Sequence, residues 1–262
     1  MKNVVVIPII ENKDHKDKYG GFNWMQISRQ SWQYWCNKNN CELIIYDKPS
    51  EPDLFKFRVT WQRWFDIFNF LDSKHIKYDK VLMADACSIV KWDCPNFFNL
   101  TKNNLTALRD MDNLGWVYQS IQGYKNAFNN FELDITKYIN AGFVIFNKSH
   151  KNLFKTFKDF YYNNIDLLVE LQDNVVNKGT DQTPFNYWLQ INNIKVDELP
   201  IPYRLSHLHR RNMLKHNWQL NEDQTPFFIK YGYVWVFSGF SKEHRNNLME
   251  QTWNIVKNQY EN

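Results

Sequence analysis

Asp85 stands directly behind an apolar run, Lys80-Val81-Leu82-Met83-Ala84, and a second run, Ser88-Ile89-Val90, resumes after Ala86 and Cys87. A carboxylate at the end of a buried strand is costly unless it meets a metal, a ribose or a hydrogen-bond network. The same placement also suits an acid that caps the next turn. Asn140-Ala141-Gly142 sets an amide beside small residues. That lets a ligand ring approach the backbone closely, and it is equally the composition of a tight turn before a strand. Asp181-Gln182 offers a carboxylate acceptor and an amide with both donors and acceptors. The pair also reads as a helix N-terminus with Thr180 as its cap. Gly239, with Lys242 three residues on, combines free backbone amides with an ammonium, which suits a diphosphate. Its plain alternative is a strand-to-helix turn with a solvated lysine. His207-Leu208-His209-Arg210-Arg211 lacks the carboxylates of a metal site and reads as a phosphate or acceptor loop, or as a solvated basic stretch.

These residues need elements to hold them. Val4 to Ile9 is a β-branched run that suits a strand buried on both faces. Residues 24–39 repeat Trp24, Ile27, Ser28, Ser31, Trp32 and Trp35 at helical spacing. Cys41 to Tyr46 is a second strand, closed by Asp47-Lys48-Pro49. Residues 56–72 read as a helix and Lys80 to Ala84 as a third strand. Later come a strand at 143–146, helices at 151–171 and 181–191, a strand at 233–237 and a helix at 241–258. Residues 197–230 are irregular and rich in Pro, His and Arg. Strand and helix alternate, which predicts an α/β fold: a Rossmann-type mixed sheet, mostly parallel, flanked by helices. Such sheets bind ligands beyond the carboxyl ends of their strands, so the loop after Ile9 and the segment at Asp85 are the places to search.

Composition narrows the class. The chain has 262 residues and a formal net charge of +4. At 44% hydrophobic and 17% aromatic, it has far too much apolar surface for a disordered chain. The 20 Phe, 14 Tyr and 11 Trp are either core or stacking platforms; the helical spacing of the tryptophans favours core. A mean hydropathy of −0.60 and the lack of an apolar run near ~20 residues argue against a membrane span. The +4 balance is too weak to signal nucleic acid. Cysteines 36, 41, 87 and 94 fit no zinc spacing and read as reduced thiols, so a cytoplasmic setting is expected. No internal repeat or linker divides the chain, so residues 1–262 are expected to form one domain.

Four segments, in order, resemble the GT-A-fold glycosyltransferases, and especially the retaining glycogenin-like and galactosyltransferase-like group (family 8). Asp85-Ala86-Cys87-Ser88-Ile89-Val90 resembles that group's Asp-Ala-Asp region. Tyr138-Ile139-Asn140-Ala141-Gly142-Phe143-Val144-Ile145-Phe146-Asn147 resembles its Asn-Ala-Gly strand, and Asp181-Gln182-Thr183-Pro184-Phe185-Asn186 its Asp-Gln-x-x-x-Asn helix start. Phe237-Ser238-Gly239-Phe240-Ser241-Lys242 resembles its late strand, Gly and Lys. With the N-terminal strand they cover almost the whole chain. The resemblance implies transfer of a hexose from a nucleotide diphosphate sugar, UDP-linked, to a hydroxyl acceptor (glycan, protein or small molecule), with retention. It puts the nucleotide at Pro8, Asp85, Arg63, Gly239 and Lys242, and the sugar at Asn140, Ala141 and Gly142. Asp181 and Gln182 would flank the reacting carbon as the catalytic pair. Arg63 could instead be an exposed helix charge. The nucleotide-binding half would be about 1–110 and the acceptor half about 111–262.

Two departures stand out. The group's second acid of the metal site is Cys87 here, and its histidine before the late Gly is Val236. Hard cations prefer oxygen and imidazole to a neutral thiol. Asp85 is then the only plausible metal ligand, so no cofactor is expected to be required, although Mn²⁺ or Mg²⁺ could arrive with the donor diphosphate. The cations Lys242, Arg245, Arg210 and Arg211 could stabilise the leaving group instead. A non-catalytic sugar or nucleotide-sugar binding protein with a degenerate metal site is the alternative. A nucleic-acid-interacting protein using the basic 204–216 loop is the third reading.

Overall fold

The computed structural model describes residues 2–10, 23–110, 113–204 and 220–261. Strand β1 (Lys2–Pro8) leads to helix α1 (Asn23–Lys38) and strand β2 (Glu42–Tyr46). Helices α2 (Val59–Phe65) and α3 (Ile67–Ser73) precede β3 (Tyr78–Ala84), β4 (Ser88–Val90) and β5 (Leu105–Arg109). Then come α4 (Leu114–Tyr124), β6 (Ile139–Asn147), α5 (Lys151–Asn163) and α6 (Ile165–Glu170). The chain ends through α7 (Gln182–Ile191), β7 (Val196–Glu198), α8 (Phe227–Tyr231), β8 (Val234–Val236) and α9 (Lys242–Val256). Six strands form one mixed sheet in the order β2-β1-β3-β6-β5-β7. β1 and β2 run parallel, as do β5 and β7, while β5 and β6 are antiparallel. β4 and β8 make a separate antiparallel pair. The expected α/β mixed sheet is therefore present. Among the described residues no helix is long and apolar enough to cross a membrane.

Two compact units make up the chain, and neither is one continuous stretch. The first comprises 1–47, 81–100 and 199–262. Its core holds Val4 to Ile7, all fully buried, and Trp32 and Trp35 of α1. Trp35 stacks on Phe97 with centroids 4.4 Å apart. Each indole N–H has an acceptor: Trp32 donates to Ser88 Oγ at 3.0 Å, and Trp35 to the Cys94 carbonyl at 2.9 Å. That satisfies the one polar atom of a buried Trp. The second unit comprises 48–80 and 101–198. There Trp61 lies 4.3 Å from Tyr161, and Trp64 stacks on Phe185 at 4.8 Å. Trp32, Trp35, Trp61, Trp64 and Trp235 are fully buried, so for them the core reading of the aromatic excess holds. All four cysteines are free thiols and buried.

Three local expectations need correction. The helix expected over 56–72 begins only at Val59 and breaks at Asp66, whose φ of −127° is not helical. Asp66 instead accepts from Lys158 Nζ at 2.9 Å, and its carbonyl accepts from the Phe70 N–H. The helix expected over 151–171 breaks at Asn164 in the same way; the Asn164 amide donates to the Phe160 carbonyl at 2.9 Å. At Asn164 a short polar side chain competes with the helical backbone, whereas the Asp66 carboxylate meets an ammonium from another helix. Asn140-Ala141-Gly142, whose composition also suits a turn before the strand expected at 143–146, lies inside β6, which begins at Ile139.

Candidate active site

β6 is the scaffold of the polar cluster in the second unit. Its pairing with β5 is irregular: Ala107 faces Val144, but the next residue, Leu108, faces Asn140. Ala141, Gly142 and Phe143 are thus extra residues without β5 partners, a bulge of the kind that re-aims side chains beside active sites. Small residues suit it, and the Asn140 side chain supports it by accepting from the Gly142 N–H at 2.8 Å.

α7 supplies what β5 does not. Gln182 Oε1 accepts from the Ala141 N–H at 3.0 Å. Asn186, one turn on and buried, accepts from the Ile139 N–H at 2.7 Å and donates to the Ile139 carbonyl at 2.9 Å. Residues i and i+4 share a helix face, so the two amides together bond the backbone on either side of Asn140, at Ile139 and in the bulge at Ala141. The Gln182 Nε2 donates to Asp110 Oδ2 at 2.8 Å, and Asn140 Nδ2 donates to the same oxygen at 3.3 Å. Asp110 is the site residue that the sequence reading missed. It follows β5 immediately, as Asp85 follows β3, so the signal that picked out Asp85 applied to it as well. Its carboxylate joins Asn140 to Gln182.

Asp181 precedes this helix, in the N-cap position, yet its side chain makes no capping bond. Nor is Thr180 the cap; the reason lies with α2. Asp181 Oδ2 accepts from Arg63 Nη2 at 2.7 Å and from Trp64 Nε1 at 2.8 Å. Arg63 and Asp181 have side chains only 4% and 6% exposed, so the reading of Arg63 as an exposed helix charge is overturned. The guanidinium also lies 4.8 Å from the Trp64 ring centroid and donates to the Thr60 carbonyl at 3.1 Å. A buried charge needs such pairing, and this one is held on several sides.

Beneath Gln182 runs a chain of hydroxyls. Thr183 Oγ1 is 2.6 Å from both Ser120 Oγ and Tyr138 OH, and Gln182 Nε2 reaches Tyr138 OH at 3.4 Å. Burial is the main reason the Tyr138 phenol is pushed well above its ordinary pKa, so it stays a hydroxyl.

The first unit holds the other expected residues. Pro8 is buried at the end of β1, opposite Tyr46. Asp85 is half-buried beyond β3, and its carbonyl accepts from Ser88 Oγ at 2.6 Å. Gly239 turns the chain from β8 to α9 with φ +72°, a conformation that favours glycine. Lys242 begins α9, with Ser241 as its N-cap. Arg245 donates to the Phe237 and Phe240 carbonyls, which ties it to that turn. The β4–β8 pair brings the two departure positions side by side: the Phe237 N–H donates to the Cys87 carbonyl at 2.8 Å, and Val236 faces Ser88. Both side chains are buried, Cys87 in a cluster with Ile89, Trp235 and Phe237. A thiol and a valine there do not fit a hard divalent ion. Among the described residues, no three His, Cys, Asp or Glu side chains group to hold a metal. His207, His209, Arg210 and Arg211 lie outside the described residues, as does the loop beginning at residue 11.

No family model matches the chain, and no curated protein sequence matches it. Its fold has solved counterparts. It is similar to a glycosyltransferase involved in the glycosylation of the major capsid of PBCV-1, with a TM-score of 0.54 and 9% identity over 96% of this chain and 100% of that one. It is also similar to the apo structure of the bifunctional glycosyltransferase WbbM, with a TM-score of 0.53 and 15% identity over 99% of this chain. That match covers 51% of the WbbM chain, so this chain spans about half its length. At these identities the likeness is one of fold, and the fold is that of GT-A-type glycosyltransferases.

Proposed function

We propose that this chain is a glycosyltransferase that moves a hexose from a UDP-linked sugar to a hydroxyl acceptor with retention, its 262 residues acting as one GT-A-like domain. The observation that carries this reading is the cluster of Asp110, Asn140 and Gln182 on the β6 bulge, in a fold shared with sugar transferases. Amides and a carboxylate there can fork onto vicinal hydroxyls, and the bulge brings backbone close to them. In this reading Asn140, Ala141, Gly142 and Gln182 hold the donor sugar. Asp181 flanks the reacting carbon with Gln182, and Arg63 sets its orientation and charge. Pro8, Asp85, Gly239 and Lys242 take the nucleotide and its phosphates.

The departing diphosphate leaves an oxocarbenium-like centre, so stabilising its charge is the main task. The ammonium of Lys242 is assigned that role. A charge-assisted hydrogen bond to phosphate is worth ~1.5–3 kcal/mol, so Lys242→Ala should weaken UDP binding roughly 10- to 150-fold. Calorimetry on the full chain checks this; unchanged UDP affinity would remove the assignment.

Because Cys87 and Val236 do not fit a hard cation, UDP affinity in EDTA should be close to that in millimolar Mn²⁺. A hundredfold gain with Mn²⁺, lost in Asp85→Ala, would contradict this. The paired replacement Cys87→Asp with Val236→His should create a metal dependence where little exists. The same two positions favour a second reading, a nucleotide-sugar binding protein without turnover. Screening donor hydrolysis across nucleotide sugars, with and without Mn²⁺, separates the two: turnover supports the transferase, and binding without turnover supports the second reading.

A further inference from the structure

Away from all these residues, the first unit carries an open groove of about 620 Å³ between α1 and the end of the chain. Ligand pockets commonly span ~300–1,000 Å³. One wall is a stripe of carboxamides. Gln26, Gln30, Gln33 and Asn37 recur at spacings of four, three and four along α1, so they share one face, and all are exposed. Gln33 Nε2 donates to Asn37 Oδ1 at 2.9 Å. The other wall is aromatic. Trp253 comes from α9 and Tyr260 from the turn after it, with ring centroids 4.8 Å apart. Tyr34 of α1 meets Tyr260 edge-on at 5.2 Å. The Tyr260 hydroxyl donates to the Val90 carbonyl at 2.6 Å, so its ring is held in place before any ligand arrives. Arg29 and Lys257 against Glu261 leave a single net positive charge at the lining.

We propose that this groove binds a neutral oligosaccharide. Each carboxamide donates and accepts, which matches the alternating capacity of sugar hydroxyls, and the exposed part of the half-buried aromatic wall offers apolar surface to the C–H groups of pyranose rings. A nucleic acid or acidic glycan would need a surplus of cations that the lining lacks. An amphipathic peptide helix would need apolar anchors along α1, where amides stand instead. The groove shares no residue with the proposed transfer site and stands or falls independently of it.

The test titrates the full chain with maltohexaose, cellohexaose and chitohexaose, each to about 10 mM, with hexagalacturonate as the acidic comparison. At least one neutral hexamer should bind with a millimolar or tighter Kd and outcompete hexagalacturonate. Gln30→Ala with Gln33→Ala should weaken it about tenfold or more, since two amide contacts are lost. Both positions are exposed, so the melting temperature and UDP affinity should not change. No neutral binding, tighter binding of hexagalacturonate, or unchanged affinity in the double variant would each overturn the proposal. UDP binding on the same sample separates the two ideas: UDP without hexamer removes the groove alone, and hexamer without UDP removes the nucleotide-sugar reading alone.

Discussion

Asp181→Ala is expected to cost about 3–5 kcal/mol of folding stability, the usual penalty for leaving a buried charge without its partner. Arg63 is 4% exposed and cannot turn to water for compensation. A guanidinium does not lose its proton in a protein, so it cannot become neutral either. The same change strips the acceptor from Trp64 Nε1, a second buried donor. The loss should appear as a lower urea midpoint for the full chain, with little change in slope. Arg63→Met combined with Asp181→Leu should recover the part due to the stranded charge, because well-packed apolar pairs replace buried ion pairs at small cost, while Trp64 Nε1 still lacks its acceptor at ~1–3 kcal/mol. An Asp181→Ala protein within about 1 kcal/mol of the parent would show that Arg63 has another way to be satisfied. The pair thus links stability to the proposed site: the carboxylate next to Gln182 is held in place by the charge that its removal would strand.

Gly179→Ala should destabilise the chain by about 2–5 kcal/mol, for two separate reasons. Gly179 has φ +72°, a left-handed conformation that costs an alanine roughly 1–2 kcal/mol. An added Cβ would also stand 2.0 Å from Ser120 Oγ and 2.3 Å from Thr183 Oγ1. Those oxygens belong to the hydroxyl chain beneath Gln182, and Ser120, Tyr138 and Thr183 are fully buried. Neither can swing aside without abandoning a buried bond, so overpacking adds ~1–3 kcal/mol. Gly115→Ala is the matched control. Its nearest neighbour would be Asn113 Oδ1 at 3.6 Å, ordinary contact, and it lies in a helix, where Ala is favoured over Gly. The melting temperature should fall sharply for Gly179→Ala and stay level or rise for Gly115→Ala. Equal melting of the two variants would defeat the account of the Gly179 turn.

Much of the scaffold was legible residue by residue. Val4 to Ile7, Glu42–Tyr46 and the run into Ala84 are strands because β-branched and apolar residues come in unbroken stretches, a signal carried within one segment. The α1 periodicity marked Trp24, Ile27, Ser28, Ser31, Trp32 and Trp35 as one face; the last five are buried and Trp24 is half-buried. Interruptions were harder to see. Asp66 and Asn164 interrupt helices that the periodicity reads as continuous, and Asp66 is paired with Lys158, 92 positions away.

The chemistry divides along the same line. Residue type alone marked Asn140, Asp181 and Gln182 as groups able to meet hydroxyls, because an amide or a carboxylate carries its hydrogen-bonding capacity wherever it sits. What those groups do was decided by partners far along the chain. Arg63 is an ordinary helix cation until Asp181, 118 residues on, closes over it. Asn140-Ala141-Gly142 reads as a turn until Gln182 and Asn186, 41 and 47 residues away from their backbone partners, hold it as a bulged strand. Asp110 gains its place only from the two amides that converge on it. Local propensity and periodicity are properties of a segment, so the sequence carries them openly; burial, charge pairing and strand register depend on which distant segments pack together, and only the tertiary structure specifies that.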